Sequence, residues 1–188
     1  MKVIDLSTPA EKSRTILRVV WLFSLVVVLT TTIYGVVMSI LLNVEVVGLT
    51  FVNVEFPPIH IFPFFYMKPV SWLSGSSVSL AYCTLELGKE RIRAISPAKR
   101  ELARLALFVI GFMALYEVLF NFSLWSGLMA SESILGELHP DLLINPFPNP
   151  KIPWSIVFAT KMYLVTATVS FYSFYFLTRL GREAHAVA

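Results

Sequence analysis

Charged residues and cysteine are scarce in this sequence of 188 residues. Only 14% of the residues are charged, whereas about a quarter are charged in a typical water-soluble domain. That deficit excludes a soluble domain. The hydrophobic share of 56%, which includes 15 Phe and 7 Tyr, excludes a disordered chain. The single cysteine excludes an intrachain disulfide and a cysteine-based zinc site.

Motifs for catalysis and cofactor binding are also missing. The sequence has no phosphate-binding glycine loop, no nucleophile elbow and no His-Glu-x-x-His helix. His60, His139 and His185 lie outside the apolar segments, so a haem inside a bilayer would have no histidine ligands. Glu137, His139 and Asp141 alternate in one loop, which a hydrated acidic surface explains better than a metal ion. We therefore expect no catalytic residue, no metal site and no cofactor.

The sequence is rich in long apolar runs. A helix crosses a hydrocarbon core of about 30 Å with about 20 residues. Three segments meet this requirement, at residues 19–42, 105–130 and 154–178. A fourth segment, within residues 60–87, is less apolar because serines crowd it. Hydropathy alone leaves this fourth span undecided.

The distribution of basic residues indicates whether the fourth segment crosses the membrane. Twelve of the fifteen Lys and Arg residues precede the first segment, lie between the second and third, or follow the last. Residues 43–56 and 131–150 contain acidic residues and no basic ones. Because Lys and Arg near span ends stay preferentially in the cytoplasm, only four spans with both termini cytoplasmic fit this alternation. The sequence predicts an all-α, four-transmembrane-helix bundle, a single multi-pass domain over residues 1–188 in the cell membrane.

Two connections between spans carry local signals. Ser96 is a typical helix cap and Pro97 suits the first helical position, so the third span is predicted to begin in the cytoplasm as one continuous helix. In the first external connection, apolar and polar residues alternate over 52–56, and Gly48 suits a turn. This pattern predicts a short external β-hairpin.

Two spans carry rows of small residues spaced four apart. Such rows allow helices to approach closely in lipid, so we predict that they pack the bundle or, less ordinarily, join protomers. The rows are Ser71, Gly75, Ser79 and Cys83 in the second span, and Ser123, Gly127 and Ser131 in the third.

Two opposite charges interrupt the apolar spans. Glu117 lies in the third span and Lys161 in the fourth, and counting from the span ends at 1.5 Å per residue places them at nearly one depth. Each would cost about 2.5 to 3.5 kcal/mol if it were unpaired at the centre of a bilayer. We therefore predict that the antiparallel third and fourth helices bring the two side chains together. Asn121, one turn beyond Glu117, lies on the same face and completes this polar site.

Two interpretations of the polar site are open at this point. It is either a static bridge that fixes helix packing, or a functional site, meaning a proton or ion relay or a polar cavity for the charged part of a ligand. A single pair without further acids along a path favours the static bridge.

Three functions follow from these patterns. The first is a non-enzymatic polytopic membrane protein that serves as an assembly or accessory subunit of a membrane complex. Its expected partners are membrane lipid, further copies of itself or other membrane subunits. Nucleic acid is not expected, because the basic residues flank span ends without interleaved aromatics. The alternatives are a transporter or channel component that uses Glu117, Asn121 and Lys161, and a lipid- or quinone-processing enzyme.

Overall fold

The computed structural model describes residues 9–43, 48–53, 68–136 and 155–185. All of the regular secondary structure in these ranges is helical, which confirms the all-α prediction for them. The helices are α1 (Pro9–Leu41), α2 (Leu49–Asn53), α3 (Pro69–Leu87), α4 (Lys89–Arg93), α5 (Pro97–Leu135) and α6 (Ile156–His185). Three of them, α1, α5 and α6, are long and apolar enough to cross a membrane.

The long helices form a row in the order α1, α3, α6, α5. The indole Nε1 of Trp21 donates to Thr84 Oγ1, near the end of α3, at 2.9 Å. Phe51 packs against both Gly35, farther along α1, and Val70 at the start of α3, so α1 and α3 are antiparallel. The ring centroids of Phe108 and Phe174 are 5.5 Å apart and those of Phe112 and Phe171 are 5.4 Å apart, so α5 and α6 are antiparallel as well. Two antiparallel pairs therefore meet where α3 and α6 run parallel, and α1 and α5 form the ends of the row.

The connection between the two pairs lies at one end of the molecule. There α3 ends at Leu87, α4 forms one short turn and α5 begins at Pro97. We call this the connector end, and the helix directions place the beginning of α1 and the end of α6 there too.

The helix α5 begins where the sequence indicates. Its first residue is Pro97, and the carbonyl of Ser96 accepts a hydrogen bond from the backbone N–H of Arg100 at 3.1 Å. From there α5 runs for 39 residues without interruption. The predicted continuous helix is thus confirmed.

The predicted external hairpin is wrong for the residues that the structure describes. Leu49–Asn53 forms the short helix α2, while residues 44–47 and 54–56 lie outside the described ranges. The hydroxyl of Thr50 donates to the carbonyl of Gly35 at 3.2 Å, and the ring of Phe51 covers Gly35 as well. Successive strand residues point to opposite faces, whereas one helical turn lets both side chains contact α1.

Close helix contact occurs at two glycines that the sequence did not single out. At Gly35 an added Cβ would overlap the Phe51 ring, and at Gly111 it would lie 2.9 Å from the Phe171 ring. Gly48 has a positive φ of +94° in the turn directly before α2, but the described residues form no hairpin around it. Aromatic rings thus pack directly onto the backbone of α1 and α5 where side chains are absent.

Candidate functional site

Glu117 and Lys161, the two charges of the predicted spans, do not meet within the chain. The ammonium of Lys161 donates to Ser71 Oγ on α3 at 3.3 Å. Among the ion pairs of the described residues none joins Glu117 to Lys161. Lys161 thus contributes to the contact between α3 and α6, whereas it was expected to join α5 to α6.

The register between α5 and α6 explains this outcome. Phe112 and Phe171 contact each other edge to face with their ring centroids 5.4 Å apart, which fixes a common level. Glu117 lies five residues beyond Phe112, and Lys161 lies ten residues before Phe171. At 1.5 Å per residue their backbones differ in depth by about 7 Å. By the same register the residue of α5 level with Lys161 is Phe122, next to Asn121, so the prediction that Glu117 and Lys161 lie at one depth is wrong.

Asn121 is buried and lacks a hydrogen-bond partner for its amide nitrogen. The residue is 3% exposed, on the face of α5 that also buries Ala114 and Val118. Its Nδ2 atom has no partner, and neither has the indole nitrogen of Trp125 one turn away. A buried donor without an acceptor costs about 1 to 3 kcal/mol, so this turn of α5 is not optimised for the stability of the single chain.

Replacing Asn121 by Leu tests that conclusion. We expect the free energy of unfolding of Asn121→Leu to be unchanged or higher by about 1 kcal/mol, because an unsatisfied donor is removed. The measurement is equilibrium unfolding in detergent–SDS mixtures, followed by tryptophan fluorescence. Phe122→Leu, at the neighbouring exposed position, is the control. A clear loss in Asn121→Leu alone would mean that the amide has a partner in the isolated protein.

The small residues of α3 occupy different environments. Cys83 is buried, Ser71 accepts the hydrogen bond from Lys161, and Ser79 lines a groove between α1 and α3. An added Cβ at Gly75 would meet nothing within 4 Å. This row therefore does not mark one continuous close approach of helices within the chain.

The small residues of α5 face outward. Ser123 and Gly127 are exposed, and a Cβ at Gly127 would meet no atom within 4 Å. Their predicted role in helix packing stays a prediction, and it concerns contacts outside the single chain.

A groove of about 400 Å³ runs between α1 and α3. Its α3 wall is formed by Ser71, Trp72, Gly75, Ser76 and Ser79, and its α1 wall by Val20, Phe23 and Ser24. The indole nitrogen of Trp72 is buried and has no hydrogen-bond partner. One end of the groove therefore carries an unused donor, beside the serine that holds the Lys161 ammonium.

A second polar cluster lies near the connector end, and we call it the clamp. Its centre is Glu86 of α3, whose side chain is only 17% exposed. Oε1 of Glu86 accepts hydrogen bonds from Arg179 Nη2 at 2.8 Å and from the hydroxyl of Tyr172 at 3.1 Å. The Arg179 guanidinium also lies over the Phe176 ring, 5.2 Å from its centroid. The clamp thus ties α3 to α6 at the end opposite Lys161.

The remaining residues of the clamp connect α4 to the end of α6. Glu183 of α6 accepts a hydrogen bond from Arg93 and forms an ion pair with Lys89 at 3.1 Å. Arg179 Nε lies 3.8 Å from the other oxygen of Glu183. Two carboxylates and three basic side chains therefore fix the turn between α3 and α4 against the end of α6.

Sequence reasoning missed the clamp. The available signal was an acidic residue, Glu86, at the end of one span and a basic residue, Arg179, at the corresponding end of another. Several basic residues cluster near that end, so the sequence could not show which of them pairs with Glu86.

No cluster of three potential metal ligands occurs in the described ranges. The loop residues Glu137, His139 and Asp141 lie outside them. No family model, curated protein or solved structure matches the chain. Function is therefore argued from the geometry alone.

Proposed function

We propose that α3 is a fourth span and that the connector end is cytoplasmic, with both termini on that side. The 19 residues of α3 are about 28 Å long, close to the thickness of a hydrocarbon core. The helix runs parallel to α6, which is long and apolar enough to span. Lys89, Arg91, Arg93, Lys99 and Arg100 all lie at the connector end, as the preference of basic residues for the cytoplasm requires.

In this orientation we propose a non-enzymatic assembly or accessory subunit of a complex in the cell membrane. The observation that carries the proposal is Glu117, near the middle of α5, an end helix of the row. Among the residues that the structure describes, none forms an ion pair or a hydrogen bond with its carboxylate. The side chain is also only partly buried.

The energetics of the bilayer favour a partner at this position. A lone carboxylate at mid-membrane costs several kcal/mol, so such groups usually pair or face other protein. The helix α5 has α6 on one side only, and its other faces expose large apolar side chains such as Val109, Met113 and Leu119. A neighbouring subunit, either another copy or a different membrane protein, would shield Glu117 from lipid and supply a donor.

Native mass spectrometry of the mildly extracted protein tests the proposal. We expect a reproducible assembly heavier than the 21.2 kDa of one chain. Glu117→Leu is expected to shift most of this assembly to the monomer, because the polar contact across the interface is lost. Glu101→Gln, at an exposed position of the same helix, is the control and should leave the assembly intact. A monomer as the only wild-type species would refute the proposal.

The geometry gives less support to a transporter that uses Glu117, Asn121 and Lys161 together. Lys161 is directed to α3, whereas Asn121 is buried on α5. The backbone of Glu117 differs in depth from that of Lys161 by about 7 Å. A shared path would need these side chains on one cavity.

A further inference from the structure

We propose that the groove between α1 and α3 binds one anionic phospholipid, whose phosphate contacts Lys161, Ser71 and Trp72. The proposal concerns a ligand of the single chain and is independent of the assembly role of Glu117.

The head of the site carries hydrogen-bond donors without matching acceptors. Lys161 is held by Ser71 at 3.3 Å and forms no ion pair with any carboxylate of the described residues. Trp72, the next residue of α3, has a buried indole N–H without an acceptor. Ser71 and Trp72 both line the groove, and the Lys161 ammonium lies 3.3 Å from Ser71 Oγ at its edge. This set of donors suits phosphate oxygens.

The position of these donors along the helices suits a lipid headgroup. Ser71 is the third residue of α3, and Lys161 the sixth of α6, so both lie within two turns of helix ends far from the connector. A lysine stem reaches several ångströms toward the nearer membrane surface. The donors therefore lie close to the level at which phosphates and ester groups meet hydrocarbon.

The groove continues from these donors toward the connector end. From Ser71 to Ser79 the groove extends about 12 Å along α3. Gly75, in the middle of this stretch, has no side chain that would narrow the groove. Phe23 of α1, at the rim of the groove, is 61% exposed and would face lipid. An acyl chain therefore enters sideways from the bilayer and lies along the groove in the leaflet opposite the connector end.

The apolar extension distinguishes a lipid from a free phosphate ion. Inorganic phosphate would use the donors and leave the groove empty, and it would have to enter a site whose rim faces hydrocarbon. A phospholipid places its phosphate at the donors and an acyl chain in the groove. Its negative charge also matches the Lys161 ammonium.

Native mass spectrometry of delipidated protein, titrated with phosphatidylglycerol, tests the site. We expect the wild-type protein to bind one phosphatidylglycerol molecule. The Lys161→Gln variant should bind it with a Kd about tenfold higher, since one charge-assisted contact is lost. Lys161→Arg should recover most of the affinity. Gly75→Leu, whose side chain projects into open space within the groove, should also weaken binding. Lys99→Gln, an exposed position at the connector end, is the matched control and should bind as wild type does.

Two further titrations identify the ligand class. Phosphatidylcholine should bind more weakly than phosphatidylglycerol, and millimolar inorganic phosphate should not displace the lipid. Equal phosphatidylglycerol binding by wild type and Lys161→Gln would overturn the assignment of the headgroup contact. Unchanged binding by Gly75→Leu, or displacement by inorganic phosphate, would overturn the assignment of the groove. Thermal melts of each variant show that lost binding does not reflect lost folding.

Discussion

Replacing Gly35 by Ala is expected to lower the free energy of unfolding by about 1 to 3 kcal/mol. The added methyl would occupy the position of the Phe51 ring, which is 6% exposed and covers the α1 backbone. Phe51 would have to leave its contact with Phe158, whose ring centroid is 5.2 Å away. The loss is one of packing, because in a bilayer dispersion and hydrogen bonding hold helices together more than water exclusion does.

The chain contains controls for this experiment. Gly75→Ala and Gly127→Ala add the same methyl where no atom lies within 4 Å, and both should be neutral or stabilising by up to about 1 kcal/mol. Equilibrium unfolding in detergent–SDS mixtures compares the three variants directly. The clash disappears if Phe51 is already truncated, so Gly35→Ala should cost little in the background of Phe51→Ala. Equal effects at Gly35 and Gly75 would contradict the docking of Phe51.

The second large effect is expected at the clamp. Glu86→Gln should lower the free energy of unfolding by about 1.5 to 3 kcal/mol, because the half-buried Arg179 loses the carboxylate charge of its ion pair. The amide oxygen of Gln still accepts from Tyr172, so the measured loss reports mainly the contact with Arg179.

An exposed ion pair provides the comparison for Glu86. Glu101 accepts from Arg104 at 2.8 Å, but its side chain is 63% exposed, and Glu101→Gln should change stability by less than about 1 kcal/mol. Substituting Arg179 by Gln together with Glu86→Gln should recover part of the loss, since no uncompensated charge remains. Similar small effects at Glu86 and Glu101 would mean that the clamp does not stabilise the fold.

The sequence alone predicted those features that depend on local composition. Long apolar runs identified α1, α5 and α6, and the pair Ser96–Pro97 located the start of α5. The hairpin prediction failed because an alternating sequence pattern does not show that Thr50 and Phe51 both contact α1. Tertiary contacts there override local preference.

For the predicted polar site, the sequence located the charged residues but not their contacts. Glu117 and Lys161 stood out in the sequence as charges within apolar runs, but whether they pair depends on a register that is set by aromatic contacts such as that of Phe112 with Phe171. Counting residues from span ends carries an error of about one turn, which is enough to separate Glu117 from Lys161. The partner of Lys161, Ser71, was visible only as a member of a small-residue row.

The parallel contact of α3 with α6 has a consequence for how the protein is made. The pairs α1–α3 and α5–α6 each join long helices that follow one another in the chain, so each pair is able to form soon after synthesis. The α3–α6 contact unites stretches that are distant in sequence, as does the contact of Phe51 in α2 with Phe158 in α6, and the closure of such long loops is expected to come late. We therefore expect the two helix pairs to dock last, through Glu86 and Arg179 at the connector end and through Ser71 and Lys161 at the opposite end.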